Sequence, residues 1–220
     1  MKSNKVFATP EEALAALYGR TSLELGMSEK RRDEVIAAAI FTSFRNQEFG
    51  THFHLPADYR QPDLTEDARG IDLVVTDTNG RQKELQIKGI HIARSIERRR
   101  HHATRGAALI LGRRTRRQIL RDSEELAGVM KEELKKIIQD YRGVILILQV
   151  IADFATQTSL GIAIKKNRQL VQNLKAKEVW FLRNLPVRSV SGRKVAVRCF
   201  SYKLIRVVPD RQTYVYTFAL

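Results

Sequence analysis

The sequence has little of three things: cysteine, acidic residues and long apolar runs. Cys199 is the single cysteine among 220 residues, which excludes an intrachain disulfide and a zinc site built from several cysteines. This usage is typical of a reducing, intracellular setting, so we expect a cytoplasmic protein. The longest apolar run, residues 144–148 and the few that follow, is far too short to span a bilayer. No such run follows the N-terminal lysines, so we predict neither a signal peptide nor a membrane partner.

Acidic residues are outnumbered: 24 Asp and Glu stand against 39 Lys and Arg, which gives a formal net charge of +15. The hydrophobic share of 43% is that of a folded protein. A charge excess of this size creates a positive field and predicts a polyanionic partner. Nucleic acid is the first candidate; an anionic membrane surface is the second, and it is not among the partners that we predict. The alternative is a basic protein whose charge serves solubility alone.

The sequence pattern predicts helical segments that alternate with extended ones. Thr9 and Ser28 are favourable N-caps for two early helices, and Gly143 follows a third, long helix. From about Glu178 the pattern changes to alternation broken by turns, which is typical of strands. The predicted order is a helix at residues 10–18, a helix at 28–46, a strand at 49–56, a hairpin at 71–88, a helical basic segment at 92–105, a short strand at 107–111, a helix at 115–141, a buried strand at 144–148 and several strands after 178.

This order predicts an α/β protein whose core combines helix, mixed sheet with an antiparallel hairpin, helix and buried strand. We divide it into an N-terminal helical segment (1–27), an α/β core (28–150) and a β-rich C-terminal extension (151–220). Tyr202, Tyr214 and Tyr216 fit core or cross-strand positions better than base-stacking ones.

The central question concerns the hairpin GIDLVVTDTNGRQKELQIKG, because the length of its turn decides which side chains share a face. A two-residue loop at Asn79-Gly80 would set Asp72 opposite Ile87 and would mix polar with apolar residues on both faces. A three-residue loop with Gly80 in the left-handed region sets Asp72 opposite Gln86 and leaves one face apolar. We therefore predict the three-residue loop, and with it the convergence of Asp72, Gln86 and Lys88.

That set of side chains has a chemical use. A carboxylate and an amide oxygen are hard ligands that suit Mg²⁺ or Mn²⁺. A lysine beside the metal can orient a water and stabilise charge on a phosphate. The alternative is that Glu84, Gln86 and Lys88 form the wet face of an edge strand. The sequence contains no glycine-rich phosphate loop and no nucleophile elbow, which leaves this set as the leading candidate for chemistry.

The pattern resembles the PD-(D/E)XK nuclease superfamily, the restriction-endonuclease-like fold. The resemblance covers Ser28 to Val150: a helix, Gly-Ile-Asp at a strand start, a hairpin, and Leu-Gln-Ile-Lys on the next strand. It implies that Asp72 and Gln86 bind the metal and that Lys88 serves the attacking water. An acid on the preceding helix often joins such sites, and Glu34 is the candidate here.

Two departures from the family pattern stand out. Ile71 replaces the proline before Asp72, and Gln86 replaces the second acid; some branches, including the Mrr-like restriction enzymes, carry such a QXK variant. Glu84 on the same face is a candidate for the missing negative charge.

A basic region follows the hairpin. Arginine matches phosphate oxygens bidentately, so its use here favours specific phosphate contacts; the alternative is a solvated charged face. The histidine pairs 52/54 and 101/102 lack further ligands at metal spacing and are interpreted as ordinary polar residues. The candidate nucleic-acid contacts are Arg94, Arg98, Arg99, Arg100, Arg113, Arg114, Arg116 and Arg117.

The sequence thus predicts a Mg²⁺- or Mn²⁺-dependent endodeoxyribonuclease, with Asp72, Glu84, Gln86, Lys88 and Glu34 in its site. The resemblance implies a homodimer as one arrangement for cutting both strands. Two alternatives stay open: a non-catalytic nucleic-acid-binding module on a decayed nuclease fold, which Gln86 favours, and an RNA-directed protein, since charge alone does not separate DNA from RNA.

Overall fold

The computed structural model describes residues 7–18, 20–61, 70–91, 115–137, 141–151, 156–185 and 199–219. This part of the chain contains five helices and eight strands. The helices are α1 (Pro10–Leu17), α2 (Glu29–Phe49), α3 (Arg116–Lys135), α4 (Gln157–Lys166) and α5 (Arg168–Gln172). The strands are β1 (Phe7–Ala8), β2 (Phe53–Pro56), β3 (Leu73–Asp77), β4 (Gln82–His91), β5 (Ile145–Ile151), β6 (Glu178–Leu185), β7 (Cys199–Val208) and β8 (Gln212–Ala219).

The chain forms two compact units, each built from separated stretches. The first unit combines Met1–Lys88, Tyr141–Gln149 and Ala176–Leu220, and the second combines Gly89–Asp140 and Val150–Lys175. The first unit contains residues from all three segments predicted from the sequence. The boundaries of those segments stay a prediction. The candidate site and the three C-terminal strands belong to this first unit.

The predicted α/β class is confirmed: the eight strands are hydrogen-bonded in the order in which they occur in the chain. The pairs β1–β2, β2–β3, β3–β4, β6–β7 and β7–β8 are antiparallel. The step from β4 to β5 passes through α3, and the step from β5 to β6 passes through α4 and α5. The general architecture is therefore a mixed sheet with helical crossovers.

Helix starts follow their capping signals. The Thr9 and Thr115 side chains each accept a hydrogen bond from the backbone N–H of the third helical residue, whose own side-chain oxygen accepts one from the backbone N–H of the cap. Ser28 caps α2 through its side chain alone. The predicted starts are confirmed. Helix α3 ends at Lys135, earlier than predicted, and the chain turns at Gly143, which has a φ of 85°.

One stretch of the predicted β-rich extension is helical. Thr156 caps α4 by accepting a hydrogen bond from the Ser159 backbone at 3.1 Å. Leu160, Ala163 and Ile164 are buried at helical spacing. The sequence analysis predicted no element in this stretch, whereas the alternation that it recognised after Glu178 does form β6, β7 and β8. The predicted helix at 92–105 and strand at 107–111 lie outside the described residues.

The predicted hairpin pairing is confirmed. Leu73 lies opposite Leu85, and Val74 lies opposite Glu84. The Asp77 backbone N–H donates to the Arg81 carbonyl at 2.9 Å, which leaves residues 78–80 as a three-residue loop. Gly80 has a φ of 78°, in the left-handed region that favours glycine. The turn therefore sets which side chains of β3 and β4 share a face.

The sheet has one face packed against α1 and α2 and a second face pointing the other way. On the α2 face, Leu73, Leu85, Trp180 and Leu204 join the aliphatic and aromatic side chains of α2 in one buried cluster. Tyr202 and Tyr216 belong to the same cluster, as their predicted core positions require. Side chains at the intervening positions of each strand point to the second face because side chains alternate along a strand.

Candidate metal and catalytic site

Asp72 immediately precedes β3 and is held by the neighbouring strand. Its side chain is buried, with the residue 8% exposed. The Oδ2 atom accepts hydrogen bonds from Gln86 Nε2 at 2.7 Å and from the Ile87 backbone N–H at 2.6 Å. The Asp72 backbone N–H donates to the Leu85 carbonyl at 3.0 Å. The predicted meeting of Asp72 and Gln86 is thus present as a direct side-chain contact.

Gln86 lies in β4 and is 1% exposed. Its amide nitrogen donates to Asp72, while its Oε1 atom is buried without a hydrogen-bond partner. A buried polar atom that lacks its partner costs about 1–3 kcal/mol, so folded proteins contain few of them. The amide oxygen beside a buried carboxylate is therefore a vacant acceptor in the place where the sequence predicted a ligand.

Glu34 of α2 is a second buried acid near Asp72. Its carboxylate lies 3.4 Å from Lys30 Nζ and 3.9 Å from Arg31 Nη1. Burial raises the pKa of Glu34, and the negative charge of Asp72 raises it further, against the opposing effect of Lys30 and Arg31. The structure thus places Glu34 close enough to Asp72 for the two carboxylates to repel one another.

The pKa of Asp72 is also raised, and burial is the largest cause. The hydrogen bond from Ile87 and the positive charges of Lys88, Lys30 and Arg31 oppose the shift without cancelling it. Two buried acids with raised pKa values gain most from a nearby cation, because a cation favours the ionised form of both.

Lys88 is half-buried near the end of β4. It lies two residues after Gln86 and therefore on the same face, and its charge acts on the Asp72 carboxylate. Glu84 shares that face, opposite Val74 and two residues towards the turn. Asp72 and Gln86 are thus in direct contact, the charges of Glu34 and Lys88 interact with the Asp72 carboxylate, and Glu84 shares the face of β4 that carries Gln86 and Lys88.

Arg31 is a contributor that the sequence analysis missed. It is buried, and its guanidinium donates to three backbone carbonyls: to Asp72 at 2.7 Å, to Gln61 at 3.1 Å and to Tyr59 at 3.2 Å. These bonds tie the start of β3 to α2 and to the loop after β2. An arginine three residues before Glu34 on the same helix was the available signal, but nothing in the sequence identifies carbonyl partners.

Tyr141 is a second missed neighbour. Burial raises the pKa of its hydroxyl, and the charge of Asp72 adds to the shift. Tyr141 lies outside the hairpin, just before the turn that leads to β5, so no spacing in the sequence connects it with Asp72.

Most of the predicted nucleic-acid contacts fall on residues that the structure does not describe. Arg94, Arg98, Arg99, Arg100, Arg113 and Arg114 lie outside the described residues, and Arg116 and Arg117 are exposed in the first turn of α3. The arginine surface therefore stays a prediction. Of the histidine pair in and before β2, His52 is exposed and His54 is half-buried.

The donor set fits a hard divalent cation. Within the described ranges, no group of three or more His, Cys, Asp or Glu side chains is placed to hold a metal ion. The site offers two carboxylates and one amide oxygen, and the described hydrogen bonds to the Asp72 carboxylate all go to Oδ2. Oxygen donors of this kind suit Mg²⁺ or Mn²⁺ rather than a metal that prefers nitrogen or sulfur.

No family model matches the chain, and no curated protein matches it either. In the part of the chain that the structure describes, no helix combines the length and apolar character needed to cross a membrane.

Proposed function

We propose that this protein is a metal-dependent endonuclease that hydrolyses phosphodiester bonds of DNA on a restriction-endonuclease-like, PD-(D/E)XK core. The observation that carries the proposal is the buried contact between Asp72 and Gln86, whose Oε1 atom is left without a hydrogen-bond partner; the interaction of Glu34 and Lys88 with the Asp72 charge supports it. The net charge of +15 supports a nucleic-acid substrate.

In this proposal, Asp72 and Gln86 hold Mg²⁺ or Mn²⁺ through their side-chain oxygens. The bound ion supplies a Lewis acid for a phosphate oxygen and lowers the pKa of a bound water. Lys88 orients the attacking water and stabilises the negative charge that develops on the phosphate. Glu34 adds negative charge beside Asp72, which strengthens the attraction for a cation. Arg31 keeps the Asp72 backbone fixed, so that the carboxylate stays in place as substrate binds.

A second candidate is a nucleic-acid-binding module without activity. The observation that favours it is Gln86, whose amide contributes no charge where the family pattern has an acid. The described residues offer only two acids at the site, Asp72 and Glu34. The two candidates share a fold and a polyanionic partner, and they differ in whether a bond is broken.

Cleavage assays separate the candidates. Supercoiled plasmid, single-stranded DNA and RNA are incubated with the protein in Mg²⁺ or Mn²⁺, beside Asp72→Ala and Lys88→Ala. Asp77→Asn, at the other end of the same strand, is the matched control. Loss of cleavage in the first two variants, with DNA binding retained in EDTA and activity retained in the control, supports the nuclease. Binding without cleavage in either metal supports the module, and cleavage of RNA alone would overturn the DNA assignment.

A further inference from the structure

A pocket lies at the turn end of the hairpin, away from Asp72. Its volume is about 620 Å³, which is in the range of pockets that hold small ligands. Three segments form its walls: residues 50–53 before and within β2, hairpin residues between 77 and 83, and Lys177 just before β6. All three segments belong to the first compact unit.

Hydrogen bonds hold each of these walls in place. The Phe53 backbone N–H donates to the Asn46 side-chain oxygen at 2.9 Å, and the Phe53 carbonyl accepts from the Asn46 amide nitrogen at 2.8 Å. The hairpin wall is held by its turn, where the Asp77 carboxylate accepts two backbone N–H bonds. The Lys177 backbone N–H donates to the Val144 carbonyl at 3.0 Å. Walls fixed in this way need no ordering when a ligand binds, which avoids an entropic cost.

The charges that line the pocket do not balance. Three cations and one acid contribute to the walls, namely Arg81, Lys83, Lys177 and Asp77. Arg81 Nε lies 3.2 Å from Asp77 Oδ2, so these two charges offset one another. Among the described residues, no ion pair involves Lys83 or Lys177. The pocket therefore carries an excess of two positive charges.

Nearby acids compensate Lys83 only in part. Burial lowers the pKa of the Lys83 ammonium, and the positive charges of Arg45 and Lys177 lower it further, whereas Glu178 and Asp77 raise it. Glu178 Oε2 is engaged elsewhere, since it lies 2.6 Å from Arg45 Nη1. The net direction is downward, so a negative charge bound in the pocket would favour the protonated form of the lysine.

The lysines are accessible to a ligand. Lys177 is exposed, and Lys83 is half-buried, with its Nζ 4.9 Å from the centre of the Phe53 ring. Exposed hydroxyl and amide side chains lie in the same walls, including Thr78 and Asn79. Ammonium, hydroxyl and amide groups all donate to phosphate oxygens. A phosphate monoester carries close to two negative charges at neutral pH, which matches the excess in the pocket.

We propose that this pocket binds a phosphate monoester, which Lys83 and Lys177 contact as its two cations. Two sources carry this group: a free mononucleotide and the 5′ end of a nucleic acid strand. The pocket is separate from the candidate metal site, because Lys83 points to the α2 face and Gln86 to the second face. Asp77 and Asp72 also lie at opposite ends of β3. The proposal therefore does not rest on the proposed nuclease function.

Calorimetric titration with adenosine monophosphate, in EDTA and at constant ionic strength, tests the pocket. We expect Lys177→Met and Lys83→Met each to weaken binding about tenfold, because each removes one charged donor. Lys177→Arg keeps the charge, and Lys131→Met removes an exposed charge on α3; both retain affinity within about threefold. Adenosine, which lacks the phosphate, should not bind. Equal affinity of the wild type and both pocket Met variants overturns the proposal, as does a wild type that binds no adenosine monophosphate.

Oligonucleotides separate the two sources of the phosphate monoester. A single strand with a 5′-phosphate is compared with the same strand carrying a 5′-hydroxyl, again in EDTA. If the strand end is the ligand, the phosphorylated strand binds about tenfold more tightly to the wild type, and Lys177→Met loses this preference. Equal binding of the two strands, with adenosine monophosphate still bound, assigns the pocket to a free mononucleotide.

The pocket and the nuclease fail separately. A supercoiled plasmid has no strand ends, so its cleavage does not engage the pocket. If the wild type cleaves plasmid but binds no adenosine monophosphate, the pocket is wrong and the nuclease stands. If adenosine monophosphate binding depends on Lys177 but no DNA is cleaved in either metal, the pocket stands and the nuclease is wrong.

Discussion

Two aspartates at the ends of one strand have opposite surroundings. Asp77 lies at the turn end of β3, where its Oδ1 accepts backbone N–H bonds from Asn79 at 2.9 Å and Arg81 at 2.7 Å. The Arg81 side chain lies 3.2 Å from its other oxygen. Asp72, at the other end, is buried, has a raised pKa, and lies beside a second acid and an amide oxygen without a partner.

The contrast separates a carboxylate that its structural contacts explain from one that they do not explain. The hydrogen bonds and the ion pair of the Asp77 carboxylate described here all lie within the turn that joins β3 to β4, which accounts for an aspartate at this position. Burial disfavours the ionised form of Asp72, and the buried Gln86 Oε1 atom beside it lacks a hydrogen-bond partner. A bound cation would relieve both. Strain of this kind concentrates at functional sites, where stability is lost in favour of activity.

The largest expected difference between the two aspartates is in cleavage. Asp72→Asn keeps the shape of the side chain and its acceptor oxygen but removes the charge that would hold the cation of the proposed nuclease. We expect its cleavage rate to fall on the order of a thousandfold, while Asp77→Asn stays within about threefold of wild type. Plasmid nicking in Mg²⁺ gives both rates. Comparable losses in the two variants would remove the distinction between the residues.

The same comparison applies to two lysines of β4. Lys88 lies near Asp72, whereas Lys83 lies opposite Val75 on the α2 face, with its Nζ 4.9 Å from the centre of the Phe53 ring. We expect Lys88→Met to lower the cleavage rate about a hundredfold and Lys83→Met to leave it unchanged. Binding of DNA in EDTA, measured for both, shows whether the loss lies in chemistry or in affinity. Full activity of Lys88→Met would exclude the assigned role.

Metal binding should also distinguish the two aspartates, through its effect on the Tm of their variants. A ligand that binds only the folded state stabilises it by about 1.4 kcal/mol at ten times its Kd, which corresponds to about 3–6 °C for a chain of this size. We expect Mg²⁺ to raise the Tm of the wild type and of Asp77→Asn, but not of Asp72→Asn. Gln86→Glu restores the acid of the family pattern, so its Tm should respond at lower Mg²⁺ concentrations. Calorimetry over a magnesium series gives all four responses.

The smallest expected effect is the change in Tm that the two variants show without metal, and its sign differs between them. Because the folded-state pKa of Asp72 is raised, its charge destabilises the fold at neutral pH, and the penalty disappears as the pH falls below the pKa of the unfolded chain. Asp72→Asn should therefore have a higher Tm than wild type at pH 8, with a difference that shrinks towards pH 4. Asp77→Asn should lower the Tm by about 2–4 °C through lost turn hydrogen bonds. Thermal melts across this pH range test both signs.

How far the sequence predicts the molecule depends on the range of the interactions. The hairpin pairing followed from turn chemistry and alternation, because Gly80 and the apolar positions of β3 and β4 are local signals. Arg31 could not be assigned a role, since its partners are backbone carbonyls far along the chain. The burial of Lys203 opposite Arg183 was likewise not predictable, because it depends on the pairing of β6 with β7. Helix α4 was missed because its apolar positions, interrupted by polar residues, give a short signal.

The three-residue turn after β3 has a consequence for the evolution of this chain. Exposed loops are usually where proteins accept insertions and deletions most readily. Here, a substitution that shifted the turn to Asn79 and Gly80 alone would set Thr78 opposite Arg81 and Asp72 opposite Ile87, which exchanges the two faces of β4 relative to β3. The hydrophobic surface and the carboxylate–amide contact would both be lost through a change made in solvent, far from either. The residues that keep Asp77 opposite Arg81 and Gly80 in the left-handed region are therefore expected to be as invariant among descendants of the gene as the acids themselves.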